Sequence, residues 1–263
     1  PMALEQLRKR WEAMASPLVM GLGRTNPAFL TWLALPVGIA ASLLVLFAPK
    51  SDTGALMLMG SALLIGFSMI LDGLDGRLAR ALNSTSRIGK ELDTLADFFN
   101  FGIAPGLILH LALFSDSTRV DFTWVAIMVV AACCAYRLAR FNANEGNDPA
   151  KMFEGVPAPT LALLTLMPVY LYLLDFNFVT QSPGLISAYL IFCGFLAVSQ
   201  VPTVSLKSFK IPSAYMFIVV PMMIMHMASL LIYPWETLTV MSLLYLGCLP
   251  IFAIRHRSFT EAD

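Results

Sequence analysis

Long apolar runs separated by short polar segments dominate the pattern of this chain. A window of about 19 residues resolves eight such runs. Each is long enough, or nearly so, to cross a hydrocarbon layer of about 30 Å as an α-helix. The runs cover residues 28–48, 54–71, 95–114, 122–141, 157–175, 183–201, 213–232 and 236–254. The pattern therefore predicts an all-α, polytopic integral membrane protein with about eight transmembrane helices.

A different periodicity precedes the first run, over residues 3–22. Leu4, Leu7 and Trp11 recur at helical spacing, and charged residues such as Arg8 and Glu12 fall between them. This pattern is typical of an amphipathic helix that lies on the membrane surface. Because no long linker, low-complexity tract or internal repeat divides the sequence, we expect the whole chain, 1–263, to form a single membrane domain.

The few charged residues are distributed unevenly between the predicted loops. They make up 13% of the chain against 58% hydrophobic residues, and 17 Lys and Arg balance 17 Asp and Glu. When the loops are assigned alternately to the two sides, fifteen basic residues fall on the N-terminal side and only Lys50 and Arg119 on the other. The positive-inside rule then predicts a multi-pass protein of the inner or plasma membrane with both termini in the cytoplasm. The composition argues against a disordered chain, a basic nucleic-acid-binding domain and a secreted disulfide scaffold.

One polar segment places carboxylates at or inside two apolar helices. Asp72 and Asp75 are three residues apart, whereas Gly89, Asp93 and Asp97 follow at four-residue intervals and share one helical stripe. A carboxylate at membrane depth costs a few kcal/mol, so it usually has a cationic or metal partner and a function. Capping residues between the two helices predict a break in the chain that brings the four aspartates together near the cytoplasmic interface.

The four aspartates form an all-oxygen ligand set without histidine or cysteine. Such a set suits Mg²⁺, Mn²⁺ or Ca²⁺ rather than zinc, and two cations about 3.5–4 Å apart would suit phosphoryl transfer. Gly76 and Ala79 leave room for a nucleotide beside the backbone, and Arg80 is able to bind phosphate through two parallel hydrogen bonds. The structural alternative is a set of intramembrane salt bridges, which would not require four carboxylates in two stripes.

The complete pattern resembles the signature of a known enzyme family. Asp72-x2-Asp75-Gly76-x2-Ala79-Arg80-x8-Gly89-x3-Asp93-x3-Asp97 matches the CDP-alcohol phosphotransferases. The resemblance identifies residues 70–100 as a catalytic signature and implies transfer of a phosphatidyl-type group from a CDP-activated lipid to an alcohol, with release of CMP. It implies that the four aspartates hold two divalent cations, Mg²⁺ or Mn²⁺, and that Asp97 is also the general base. It further implies contacts with the CDP-lipid from Gly76, Ala79, Arg80, Ser86, Gly89 and, through a looser match at Asn26-Pro27-x3-Thr31, from Thr31.

Further strings resemble the bacterial and archaeal phosphatidylserine synthase branch of this family. Residues 100–105 read NFGIAP, with Asn100 in place of the usual serine, and residues 136–142 read YRLARFN, with Tyr136 in place of cysteine. The loops GVPAP and VPTVSLK, which begin at Gly155 and Val201, are similar to loops of the same branch. The resemblance implies CDP-diacylglycerol as the donor, L-serine as the acceptor and a homodimer in the lipid bilayer.

Basic side chains and one amide lie near the cytoplasmic end of the fourth run. Arg137, Arg140 and Asn142 are candidates to bind the serine carboxylate or the nucleotide pyrophosphate. Arg87, which flanks the aspartate stripe, is a candidate phosphate contact. The alternative is that these cations only enforce orientation and meet anionic lipid headgroups.

Other reactive side chains are predicted to pack rather than to react. His110 lies alone within an apolar run, where we expect an inter-helix hydrogen bond rather than metal ligation. The four cysteines lie in apolar runs without metal-ligand spacing, so we expect reduced packing residues and no covalent intermediate on cysteine.

Two other functions stay open on the sequence. A sibling transferase that uses glycerol phosphate, inositol phosphate or choline would carry the same aspartate signature, and only the acceptor pocket would differ. A cation-coupled membrane transporter is the alternative from another class, but it predicts broken helices in two matching halves. Here the acids cluster in one helix pair, which favours the transferase. Nothing in the sequence predicts a nucleic-acid partner.

Overall fold

The computed structural model describes residues 87–114, 122–144, 155–199 and 216–260, together with the single helical positions 40 and 60. Apart from those two positions, the predicted surface helix and the first two apolar runs lie outside the described residues. Within the described part every regular element is helical and no strand occurs, which confirms the all-α prediction there.

The helices follow the predicted apolar runs closely. In chain order they are α1 (Arg87–Asp97), a π-helical segment (Phe98–Ile103), α2 (Ala104–Leu113), α3 (Phe122–Asn144), α4 (Ala158–Thr165), α5 (Met167–Leu173), α6 (Phe178–Gln181), α7 (Pro183–Val198), α8 (Met216–Ile232) and α9 (Pro234–Thr260). Two stretches are long and apolar enough to cross a membrane, Ile88–Leu113 and Phe122–Asn144. These stretches overlap the third and fourth predicted runs, although the first stretch begins before its run, and they are consistent with a membrane protein. The count of about eight spans stays a prediction.

The α1–α2 rod (residues 87–113) contains a π-helical turn directly after Asp97. The N–H of Ala104 donates to the carbonyl of Phe99, five residues back. Pro105 follows at once, and because proline has no N–H and its ring crowds the carbonyl four residues back, the regular α pattern is weakest at this turn. The string NFGIAP thus covers the later part of the π-helical segment and the proline that follows it. Such π-helical turns are often found at functional sites.

The core lies where α3 and α7 pack along each other, with the π-helical segment and α4 beside them. Its most completely buried large side chains come from all of these elements: Phe101, Ile108, Leu109, Val130, Leu161, Leu164 and Leu190. In contrast, Met223, Met225 and Leu231 of α8 are exposed. Exposed apolar side chains of this size suit contact with lipid rather than with water.

The fifth predicted run forms two helices rather than one. α4 ends at Thr165 and α5 begins at Met167, with a turn at Leu166 between them. Pro168 cannot donate a hydrogen bond to the carbonyl of Leu164, so the helix is interrupted. The hydroxyl of Tyr189 on α7 donates to this carbonyl at 2.8 Å instead. The break therefore fixes α7 against α4.

His110 lies near the end of the rod that is distant from the aspartates. Its Nδ1 is 3.1 Å from the hydroxyl of Thr123 on α3, and both side chains are buried. The ring also lies 4.3 Å from that of Trp124, centroid to centroid. The predicted inter-helix hydrogen bond of His110 is confirmed.

Candidate active site

The aspartate stripe of α1 has the geometry that the sequence predicts. Gly89, Asp93 and Asp97 all lie in the regular helix Arg87–Asp97, so they share one face. Side chains four residues apart on an α-helix have Cβ atoms about 5–6 Å apart. Asp93 and Asp97 are partly buried, and Asp97 is the last residue before the π-helical turn. Two carboxylates thus lie one turn apart at the edge of the core.

The other half of the predicted site lies outside the described residues. This applies to Thr31, Asp72, Asp75, Gly76, Ala79, Arg80 and Ser86. Among the described residues, no group of three or more His, Cys, Asp or Glu side chains is placed to hold a metal ion. Of the four predicted metal ligands, the described residues therefore include only Asp93 and Asp97. Arg87 lies in the first turn of α1.

The α1–α2 rod and α3 run antiparallel in one register. As residue numbers fall along the rod, the residues of α3 that they contact rise. The successive pairs are His110–Thr123, Gly106–Ile127, Gly102–Cys134 and Thr94–Asn142. A Cβ atom on Gly102 would lie 3.1 Å from the Cβ of Cys134, so glycine permits this close approach. This register carries the end of α3 past the aspartate stripe.

The register places Arg137 of α3 at the level of Asp97 and the π-helical turn. Its guanidinium is partly buried and lies within electrostatic range of the Asp97 carboxylate. The Nε atom of Arg137 is buried and makes no hydrogen bond to any residue that the structure describes. A cationic group thus lies at the same level of this helix pair as the carboxylate of the predicted general base.

Arg140 has a different environment from Arg137. Its two terminal nitrogens donate to the carbonyls of Val198 and Ser199, at 3.0 and 3.2 Å. These carbonyls belong to the C-terminal end of α7, where the last four carbonyls lack partners within the helix and the helix dipole is negative. The guanidinium therefore caps α7. The predicted role of Arg140 in binding an acceptor or phosphate stays a prediction.

The loop string GVPAP packs against the same end of α7. The N–H of Val156 donates to the carbonyl of Leu196 at 3.2 Å. Gly155 adopts a φ of +76°, which L side chains rarely adopt, and a Cβ atom there would lie 2.9 Å from the Ser199 carbonyl. The strings YRLARFN and GVPAP, which are separate in sequence, therefore meet at the end of α7.

Asn142 connects α3 to the aspartate helix. Its Nδ2 donates to the Thr94 hydroxyl at 2.9 Å, and this hydroxyl donates to the Lys90 carbonyl at 3.1 Å. Thr94 directly follows Asp93, so the bond holds α3 against the helix that carries the stripe. The sequence predicts that Asn142 binds the acceptor or a phosphate, and it does not predict the contact with Thr94. Since the pairing joins residues 48 positions apart, no local sequence signal predicts it.

Comparison with known proteins assigns the chain to a family. The model of the CDP-alcohol phosphatidyltransferase family matches residues 24–246. A Mycobacterium leprae protein named CDP-diacylglycerol–serine O-phosphatidyltransferase is 35% identical over 204 residues, which cover 76% of this chain and 67% of that protein. Proteins of the same name are similar in Mycobacterium tuberculosis (31% over 234 residues, 87% and 78% of the two chains) and in Helicobacter pylori (35% over 186 residues, 70% and 75%). The chain belongs to the CDP-alcohol phosphatidyltransferase family, a family of phosphotransferases.

Proposed function

We propose that this enzyme transfers the phosphatidyl group of CDP-diacylglycerol to the hydroxyl of L-serine, giving phosphatidylserine and CMP. The observation that carries this proposal is the similarity, over 70 to 87% of the chain, to relatives named for that reaction. The position of Arg137 at the level of Asp97 supports it. Serine carries a hydroxyl and a carboxylate only two carbons apart, so an acceptor site for it needs a base and a cation in the same region.

We propose that the reaction depends on two divalent cations, Mg²⁺ or Mn²⁺. Asp93 and Asp97, one turn apart on one helical face, fit this requirement, since carboxylate oxygens are the ligands that these cations prefer. Together with Asp72 and Asp75 they would hold the cations, which when bound would neutralise charge on the diphosphate of the donor.

The chain's own residues suit a direct displacement. Asp97 would accept the proton of the serine hydroxyl as general base. The serine oxygen would then form a bond to the phosphorus that carries the diacylglycerol, and the bond from this phosphorus to the bridging oxygen would break. CMP leaves with the electron pair of that bond. Arg137 would hold the serine carboxylate and so direct the hydroxyl toward Asp97.

The distribution of basic residues supports a specific placement in the membrane. We infer about eight spans after an N-terminal surface helix, a cytoplasmic location for both termini and the active site, and a homodimer. In intact cells, a membrane-impermeant thiol reagent should label a cysteine introduced at Lys50 but not one introduced at Lys207. The opposite labelling pattern would show that the protein has the inverse orientation in the membrane.

Release of CMP from CDP-diacylglycerol tests the reaction. The purified protein is supplied with serine, glycerol phosphate, inositol phosphate or choline, each with Mg²⁺, with Mn²⁺ or with a chelator. We expect release that depends on serine and on the metal. Release with only another acceptor would agree with the family assignment but would refute serine as the acceptor. Full activity in the presence of the chelator would refute the metal requirement.

The assignment of Asp97 as the base has its own test. Asp97→Asn should lower kcat by about 100-fold to 10,000-fold, the usual contribution of a general base. Glu91→Gln is the matched control, because Glu91 lies on the same helix, is exposed and is not part of the stripe; this variant should keep full turnover. If Asp97→Asn retained turnover while Asp72→Asn lost it, the base would have to be another residue.

A further inference from the structure

The π-helical turn separates two parts of the α1–α2 rod that both contact α3. Before the turn, the Thr94 hydroxyl accepts a hydrogen bond of 2.9 Å from the Asn142 amide. After the turn, Gly102 faces Cys134, whose Cβ atom lies 3.1 Å from the position that a Cβ atom on the glycine would take. Both parts of the rod therefore present the side that carries Thr94 and Gly102 to α3.

A regular α-helix with the same number of residues would not present Thr94 and Gly102 to one neighbour. Gly102 lies eight residues after Thr94. At about 3.6 residues per turn, eight residues rotate the chain by two full turns and about 80° more. The π-helical segment Phe98–Ile103 reduces this rotation, because a hydrogen bond that spans five residues instead of four turns the chain by less at each residue. The rotation of α1 about its own axis is thus set across an irregular turn, where contacts of α1 itself maintain it.

The hydrogen bonds of Thr94 hold α1 in this rotation. The hydroxyl donates its one proton to the Lys90 carbonyl at 3.1 Å. Its oxygen is therefore left to accept a hydrogen bond, which the side-chain amide of Asn142 supplies. Thr94 directly follows Asp93 and is a neighbour of Asp97 on the helix surface, three residues later. A bond at Thr94 thus controls the direction in which both carboxylates point.

We propose that Asn142 is a positioning residue for the metal-binding carboxylates. Through Thr94 it fixes the rotation of α1, and with it the direction of Asp93 and Asp97, so it acts on the metal site through the helix and not as a ligand. This inference rests on the proposed metal dependence and gives Asn142 a role other than binding the acceptor. Replacement of a residue that orients metal ligands in this way usually lowers metal affinity or activity by about 10-fold to 100-fold.

Binding of Mn²⁺ to the full-length protein in detergent tests this inference without turnover. Free Mn²⁺ is measured by electron paramagnetic resonance while the metal is titrated. Thr94→Val, which replaces the hydroxyl by a methyl group, should raise the dissociation constant for Mn²⁺ about 10-fold to 100-fold. We expect the same increase for Asn142→Ala. Thr94→Ser keeps the hydroxyl and should retain the wild-type constant.

Thr123→Val is the matched control on the same pair of helices. It removes the hydrogen bond of 3.1 Å between His110 and Thr123, which joins the rod to α3 on the other side of the π-helical turn. Because this bond is buried, its loss should lower the unfolding midpoint at least as much as Thr94→Val does. The dissociation constant for Mn²⁺ should nevertheless stay at the wild-type value.

The possible results separate this inference from its alternatives. An equal loss of Mn²⁺ affinity in Thr123→Val would overturn it, since a general loosening of the helix pair would then be the cause. An unchanged Mn²⁺ constant in Asn142→Ala would also refute it, and a raised KM for serine in that variant would assign Asn142 to the acceptor instead. These results would leave the proposed function intact. Absence of Mn²⁺ binding by the wild type would contradict the proposed metal requirement itself, and the inference with it.

Discussion

Replacement of Arg140 distinguishes a structural cap from a substrate ligand. In Arg140→Ala the carbonyls of Val198 and Ser199 lose the donors that lie 3.0 and 3.2 Å away. Hydrogen bonds to charged groups contribute about 1.5–3 kcal/mol each. The site is only partly buried and water would replace some of each bond, so we expect the free energy of unfolding to fall by about 2–4 kcal/mol in total. The Tyr136 ring, 6.0 Å from the guanidinium carbon and exposed, adds at most about 1 kcal/mol.

Arg140→Lys provides the matched comparison. Lysine keeps the positive charge, and therefore any long-range attraction for phosphate or anionic lipid. A single ammonium group does not reproduce the planar fork that reaches two carbonyls at once. We expect Arg140→Lys to lose about half as much stability as Arg140→Ala, on the order of 1–2 kcal/mol.

The assay combines unfolding, local exchange and kinetics. Equilibrium unfolding in mixed detergent micelles gives the change in free energy. Amide hydrogen exchange should accelerate at the end of α7, over residues 195–199, while the centre of α3 stays protected. Turnover per folded molecule and both KM values should match the wild type. An unchanged free energy of unfolding together with a raised KM for serine or CDP-diacylglycerol would refute the cap and assign Arg140 to the substrate.

Two further pairs of substitutions test the contacts between helices around the site. Gly155→Ala should lower the free energy of unfolding by at least about 1–2 kcal/mol, because φ is positive and the Ser199 carbonyl leaves no space for a Cβ atom. The control is Gly184→Ala in helix α7, where an added Cβ atom would have no neighbour within 4 Å. This substitution should leave stability unchanged or raise it slightly. Asn142→Ala and Thr94→Val should each lower the free energy of unfolding by about 1 kcal/mol, because each removes the same hydrogen bond. The double variant should then lose no more than either single variant. Additive losses would show that the two side chains act independently.

Helix positions were largely predictable because lipid-facing helices need long apolar runs. The stretch from residue 122 and the one that ends at Leu113 follow from hydropathy alone. The interruptions were less predictable. Pro168 signals a break, but the partner of the freed Leu164 carbonyl, Tyr189, comes from a helix that follows α4 and α5 in the chain. Local patterns do not encode such contacts.

In the candidate site too, spacing within one helix was predictable, whereas contacts between helices were not. The four-residue spacing predicts that Asp93 and Asp97 share a face, and they do. The sequence predicts one common role for Arg137, Arg140 and Asn142, which lie close together in the chain. On α3, however, Arg137 lies at the level of Asp97, whereas Arg140 caps α7 and Asn142 binds Thr94. Residues one turn apart meet different elements, and only the tertiary packing decides which.

The string after the aspartates contains the closest approach between the α1–α2 rod and α3 near Asp97. Gly102 lies five residues after Asp97, and its contact Cys134 lies three residues before Arg137 on the antiparallel helix. The close approach at Gly102 therefore constrains how far the two helices slide past each other, and with it the level of Arg137 relative to Asp97. A larger side chain at Gly102 would have to separate the helices or shift their register, because the Cys134 side chain already lies 3.1 Å from the position of a Cβ atom. Pre-organisation of the proposed base and its cationic neighbour thus depends on a contact that involves neither of them.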